Sequence, residues 1–61
     1  MENVIEILMN RDGLQRHEAI GLINEARDAM EDCNYEPYQC EEILADYLGL
    51  EPDYMFDIIG Y

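Results

Sequence analysis

The chain has 61 residues, of which 49% are hydrophobic, and it carries a formal charge of −12 because fifteen acids face three arginines and no lysine. A chain this apolar is expected to fold rather than to remain a disordered acidic tail, and its length predicts one domain over residues 1–61. The shortage of cations argues against direct binding to nucleic acid or to an anionic membrane surface, whose phosphates it could not neutralise.

The N-terminal segment MENVIEILMN has no cationic region and no apolar run long enough to span a bilayer or to direct export. The two cysteines are too few for the disulfide framework of a small secreted protein. We therefore expect a cytoplasmic protein that does not bind membranes and whose thiols are reduced.

The first predicted helix covers about residues 2–12, and Gly13 followed by Leu14 is typical of a helix end. The second is predicted over 16–33, with Gln15 at the N-cap and Glu18 at the acidic position of a capping box. Its apolar stripe is wide enough to predict contacts with more than one neighbour. Gly21 lies inside this helix and marks either a weak surface position, the interpretation we favour, or a close helix–helix approach.

Asn34 is a plausible end for the second helix, and Pro37 is well placed at the first position of a third helix over 37–48. Gly49 ends that helix, Pro52 starts a fourth over 52–59, and Gly60 closes it. The fold class is therefore predicted as all-α, a compact bundle of four short helices without strands. Its core is expected to centre on Ile20, Ile23, Ile43, Leu44, Leu48 and Phe56, with Tyr47 also on the buried stripe of the third helix.

The chain contains the segments LMNRDGL, HEAIGLI and ADYLGLEPDYMFDII, which are spread over residues 8–59. In these segments the chain resembles small acidic helical proteins encoded in bacterial genomes, phages and other mobile elements. This group has no settled biochemistry, so the resemblance implies a bacterial or phage intracellular setting and transfers no active site.

The residues that could carry chemistry do not form a recognisable constellation. Four short helices can hardly enclose the cleft that paired catalytic carboxylates need. Cys33 and Cys40 lie seven residues apart with His17 as the only imidazole, a poor match to a zinc site. Buried, unreactive thiols are the preferred interpretation, with a disulfide disfavoured in a reducing cytosol. We therefore predict no enzymatic activity, no metal and no cofactor.

The charge is distributed unevenly, because residues 28–61 contain ten acids and no basic side chain. Several of these acids stand four residues apart on predicted helices, where like charges repel, and tyrosines lie among them. A surface for a basic protein explains this pattern, and solubility alone is the other explanation. The residues predicted to contact a partner are Glu31, Asp32, Glu36, Tyr38, Glu41, Glu42, Asp46, Asp53 and Asp57.

The function that this surface favours is a non-enzymatic interaction module, for example a nucleic-acid mimic that inhibits a DNA- or RNA-handling or host-defence protein. The alternative is a structural or assembly subunit that acts through an apolar helical interface. One small core is only marginally stable, and the apolar stripe of the second helix is wide. We therefore also expect a homodimer that buries part of the second or the fourth helix.

Overall fold

The computed structural model describes residues 2–59, and over this range the protein is all-helical with no strand, as predicted. The elements are α1 (Glu2–Asp12), α2 (Arg16–Asp32), α3 (Pro37–Ile43) with a π-helical continuation (Leu44–Leu48), a 3₁₀ turn (Pro52–Tyr54) and α4 (Met55–Ile59). The predicted stop at Gly60, and Tyr61 after it, lie outside the described residues.

Helix α2 lies at the centre of the bundle and packs against α1, α3, the π-helical segment and α4. Its buried side chains are Ala19, Ile23, Ala26 and Met30. They join one apolar core with Val4, Ile5 and Leu8 of α1 and with Cys40, Leu44, Leu48, Leu50 and Ile58 of the later elements. The wide stripe of α2 therefore contacts several neighbours, as predicted, and all of these neighbours belong to the same chain.

The predicted glycine stops are confirmed at Gly13 and Gly49, whose φ angles are +69° and +65°. Glycine adopts this left-handed conformation without the steric penalty of a Cβ atom. The Gly13 N–H donates to the Met9 carbonyl at 3.0 Å, which closes the last turn of α1. The equivalent bond from Gly49 reaches the Ala45 carbonyl at 2.9 Å.

Helix α2 ends one residue earlier than predicted, at Asp32, and turns through Asn34 and Tyr35. The Asn34 N–H donates to the Glu31 carbonyl at 2.9 Å and the Tyr35 N–H to the Met30 carbonyl at 2.8 Å. These two bonds form a Schellman motif, which satisfies carbonyl groups at the helix end. At the other end, the Gln15 N–H donates to Glu18 Oε1 at 2.9 Å, which confirms the role predicted for Glu18.

The core prediction is confirmed for Ile23, Leu44 and Leu48, whereas Ile20 and Ile43 are half-buried against the core. It is wrong for Phe56, whose side chain is 70% exposed. Five of the seven residues at 53–59 are apolar, so periodicity did not define a face. In the structure Ile58 is buried. A residue two positions away on an α-helix points about 200° away, so Phe56 faces outward.

Tyr47 is also exposed, at 46%, although the α-helical pattern placed it on the buried stripe. The reason is the π-helical form of Leu44–Leu48, where the Gly49 N–H donates to the Leu44 carbonyl, five residues back, as well as to the Ala45 carbonyl, four residues back. Each residue in such a segment advances through a smaller angle than in an α-helix. Leu48 therefore stays over Leu44 and remains buried, while Tyr47 is rotated out of the core.

Arg11 connects α1 to the end of the third helix. Its guanidinium donates to the Leu48 carbonyl at 2.6 Å and to the Gly49 carbonyl at 3.0 Å, and it also binds the Asp12 carboxylate. The last carbonyls of a helix lack intrahelical partners and carry partial negative charge, so a cation there is favourable. A Cβ atom at Gly49 would lie 3.4 Å from Arg11 Nη1, an ordinary van der Waals distance, so the left-handed φ and not this contact favours glycine here.

Gly21 is exposed, and no atom lies within 4 Å of the position that a Cβ atom would take. It is therefore the weak surface position, and Gly21→Ala should raise the free energy of unfolding by about 0.5–1 kcal/mol because alanine loses less backbone entropy. Urea denaturation measures this change. The control is Gly49→Ala, which should destabilise by about 1–2 kcal/mol because of its left-handed φ. A neutral or destabilising Gly21→Ala would contradict the exposed placement of Gly21.

Removing the Arg11 contact should loosen the end of the third helix. We expect Arg11→Gln to lower the free energy of unfolding by about 1 kcal/mol, a modest value because the guanidinium is partly exposed. Arg27→Gln is the matched control, since Arg27 is exposed and forms no ion pair with any residue of 2–59. Thermal unfolding of the two variants compares them directly, and equal melting temperatures would show that Arg11 contributes nothing to stability.

Candidate interaction surface

The predicted partner-binding residues lie on the last turn of α2, on α3, on the π-helical segment and around the start of α4. Seven of them are exposed, namely Glu31, Asp32, Tyr38, Glu41, Glu42, Asp46 and Asp53. Glu36 and Asp57 are half-buried. Tyr38 is 78% exposed, whereas Tyr35 is half-buried against the core.

Glu36 has a structural role in addition to its predicted one. Its carboxylate accepts the Gln39 N–H at 2.8 Å, so Glu36 is the N-cap of α3, directly before Pro37. A carboxylate at this position satisfies an unpaired donor and favours the positive end of the helix dipole. Glu36 therefore contributes to the fold as a helix cap, independently of any partner.

Two of the three arginines form ion pairs with acids in the first part of the chain. Arg16 forms an ion pair with Glu2, and Arg11 forms one with Asp12. The hydrogen bonds from these guanidinium groups lower the pKa of the Glu2 and Asp12 carboxyls below their ordinary values. Since residues 28–61 contain no basic side chain, no arginine or lysine of that half neutralises its acids.

A shallow recess on α2 is lined by Glu25, Asp28, Ala29, Asp32 and Tyr47. Sequence reasoning included Asp32 but missed Glu25 and Asp28. The signal was available, because positions 25, 28 and 32 recur at helical spacing and share one face of α2. The contribution of Tyr47 could not be foreseen, since it depends on the π-helical rotation. The structure thus places an exposed tyrosine beside three carboxylates.

A second, more apolar groove of about 140 Å³ lies between the start of α3 and the start of α4. Its lining residues are Tyr35, Pro37, Cys40, Glu41, Pro52, Met55 and Ile59. Of the predicted site residues only Glu41 lines it. The sequence did not indicate this groove, because its two walls lie more than ten residues apart in the chain.

Tyr35, on the wall of this groove, has a φ of +56°. A positive φ in a bulky residue is uncommon and costs on the order of 1 kcal/mol. The Schellman hydrogen bonds hold the backbone there, and the ring is half-buried. Such backbone conformations often occur at binding sites, so the strain at Tyr35 supports the groove as a candidate site.

The two thiols are free and occupy different environments. Cys40 is buried as predicted, and burial, together with the neighbouring Cys33, raises the pKa of its thiol. Cys33 is half-buried and donates to the Met30 carbonyl at 3.2 Å. Because the thiolate is the reactive form, the raised pKa makes Cys40 a weak nucleophile at neutral pH.

His17 is exposed on the first turn of α2. Within residues 2–59 no three His, Cys, Asp or Glu side chains are grouped so that they could hold a metal ion. None of the helices over the same range has both the length and the apolar character needed to cross a bilayer.

Comparison with known proteins adds no further assignment. No protein-family model, curated protein or solved structure matches the chain.

Proposed function

We propose that this protein is a non-enzymatic, cytoplasmic interaction module whose acidic surface binds a basic protein. The acidic surface is defined by the nine predicted residues, Glu31, Asp32, Glu36, Tyr38, Glu41, Glu42, Asp46, Asp53 and Asp57, together with Glu25 and Asp28 of the recess. The observation that carries the proposal is the absence of any lysine or arginine from residues 28–61, where ten acids are concentrated.

The density of this charge favours mimicry of a nucleic acid. The net charge of −12 lies along a molecule whose longest dimension is 30 Å, about one net charge per 2.5 Å. Duplex DNA carries one charge per about 1.7 Å of its axis, so the two densities are comparable. A DNA- or RNA-handling protein, including one of a host-defence system, would present a basic groove suited to such a surface.

Exposed aromatic side chains support binding rather than solubility as the role of these acids. Tyr38 and Tyr47 stand among the acids, and Phe56 is exposed beside Asp57. A surface that served solubility alone would not need aromatic groups, whereas tyrosine and other aromatics are enriched at the centres of interfaces.

The test is capture from a bacterial lysate on the immobilised protein, at low and at high salt, followed by mass spectrometry. We expect the retained proteins to be basic, to be released as salt shortens the screening length below about 10 Å, and to be displaced by duplex DNA. Retention of neutral proteins regardless of salt would refute the proposal. If the retained proteins are basic but DNA does not displace them, mimicry of a nucleic acid is refuted, whereas binding of a basic protein is not.

Single-charge variants separate binding from solubility. Glu42→Gln and Asp46→Asn should each raise the free energy of unfolding by a few tenths of a kcal/mol, because they relieve repulsion between acids, and each should weaken binding of a captured protein. Glu6→Gln is the control, since Glu6 is exposed on α1 outside the acidic surface. Melting temperature and affinity are measured together for the three variants. Equal affinities would leave solubility as the explanation for Glu42 and Asp46.

The exposed Phe56 favours a second candidate function, an assembly subunit that forms a homodimer through α4. The buried side chains of α2 no longer require a partner, since α2 packs against α1, α3, the π-helical segment and α4 of its own chain. A stable interface buries about 800 Å² on each partner, a fifth of the 4027 Å² surface. Repulsion between two chains of −12 opposes this association.

If assembly is the function, light scattering in moderate salt should give twice the 7.2 kDa mass of one chain. Phe56→Ser should then restore the single-chain mass, while Tyr38→Ser, which also removes an exposed aromatic ring, should leave the dimer intact. A mass of one chain at micromolar concentration for the unaltered protein would exclude this function.

A further inference from the structure

We infer that the groove between α3 and α4 is an anchor pocket for one apolar side chain of the basic partner, a side chain flanked by lysine or arginine residues. The inference rests on the proposed function and specifies how the partner is held. The groove is lined by apolar groups of Tyr35, Pro37, Cys40, Pro52, Met55 and Ile59, with Glu41 as its one acid.

The size of the groove fits a single side chain. Its volume is about 140 Å³, and an enclosed cavity of about 150 Å³ is known to hold one benzene molecule. A phenylalanine or leucine side chain is therefore of suitable size.

One carboxylate lines the groove, and three more belong to residues next to its lining residues in the chain. Glu41 lines the groove directly, Glu36 adjoins the lining residue Pro37, and Glu51 and Asp53 adjoin the lining residue Pro52. Glu36 is also near enough to Cys40, on the groove floor, to act on its thiol electrostatically. An apolar groove with Glu41 in its lining, and with further acids next to its lining residues in the chain, is complementary to an apolar side chain between cations. Charges at the edge of an interface select and orient a charged partner.

A second copy of this chain lacks the required segment. It has no lysine, and its Arg11 and Arg16 are engaged with Asp12 and Glu2. The remaining cation, Arg27, lies between the buried Ala26 and the acidic Asp28, so no exposed apolar side chain stands beside it. Charge complementarity therefore selects a different, basic protein as the occupant.

The test uses three end-blocked pentapeptides as probes. The first has a central phenylalanine between two pairs of lysines, the second replaces that phenylalanine with alanine, and the third replaces the lysines with serines. Affinities are measured at low salt by NMR, with the methyl groups of Met55 and Ile59 as reporters of the groove. The methyl group of Ala29, in the acidic recess on α2, is the reporter of binding elsewhere.

We expect the lysine–phenylalanine peptide to bind at least about tenfold more tightly than the lysine–alanine peptide, as burial of an aromatic side chain provides. It should shift the Met55 and Ile59 methyls more than the Ala29 methyl, and the serine peptide should bind more weakly. Glu41→Gln should lower the affinity for the lysine–phenylalanine peptide by about twofold to fivefold. Glu6→Gln, at an exposed position on α1, should leave its affinity unchanged.

Equal affinity of the phenylalanine and alanine peptides would overturn the anchor pocket and leave the proposed function intact, since lysate capture tests that function separately. Equal affinity of the lysine–phenylalanine and serine peptides would overturn the inference that a basic partner occupies this groove. Failure of all three peptides to shift Met55 and Ile59 would also overturn the pocket. Shifts of these methyls with protein concentration alone would identify a second copy as the occupant and overturn the inference.

Discussion

The fold depends on the burial of one continuous apolar face of α2 against α1, α3, the π-helical segment and α4. A net charge of −12 opposes compaction, and the ion pairs with Glu2 and Asp12 are exposed and therefore weak. Apolar burial must supply most of the stability. Ile23 and Met30 of α2 are both fully buried in the core to which all of these helices contribute.

The cations are used where they support this arrangement. Arg11 satisfies carbonyls at the end of the π-helical segment, more than thirty residues away in sequence, and so connects the first helix to the third. Arg16 holds the start of α2 to the start of α1 through Glu2. With these two arginines placed at helix ends, the second half of the chain keeps its full acidic charge.

The sequence predicted the helices well because their ends are encoded locally, by Gly13, Gly49 and the proline that starts α3. It failed where one helix changes type. The π-helical segment rotates Tyr47 out of the core, and the short α4 has more apolar residues than it can bury, which leaves Phe56 exposed. The exposure of most acids was predictable, since isolated charges avoid burial. The groove and the Arg11 contact could not be predicted, because both bring together residues that are distant in sequence.

The acidic side chains and the apolar groove would have different physical roles on the proposed surface. Exposed charges act over several ångströms, accelerate encounter and are screened by salt. An apolar side chain in a groove acts only on contact, slows dissociation and depends little on salt. A partner held by both should therefore associate more slowly as salt rises while its dissociation changes less. A partner held by the acids alone would dissociate at the same ionic strength at which its association became slow.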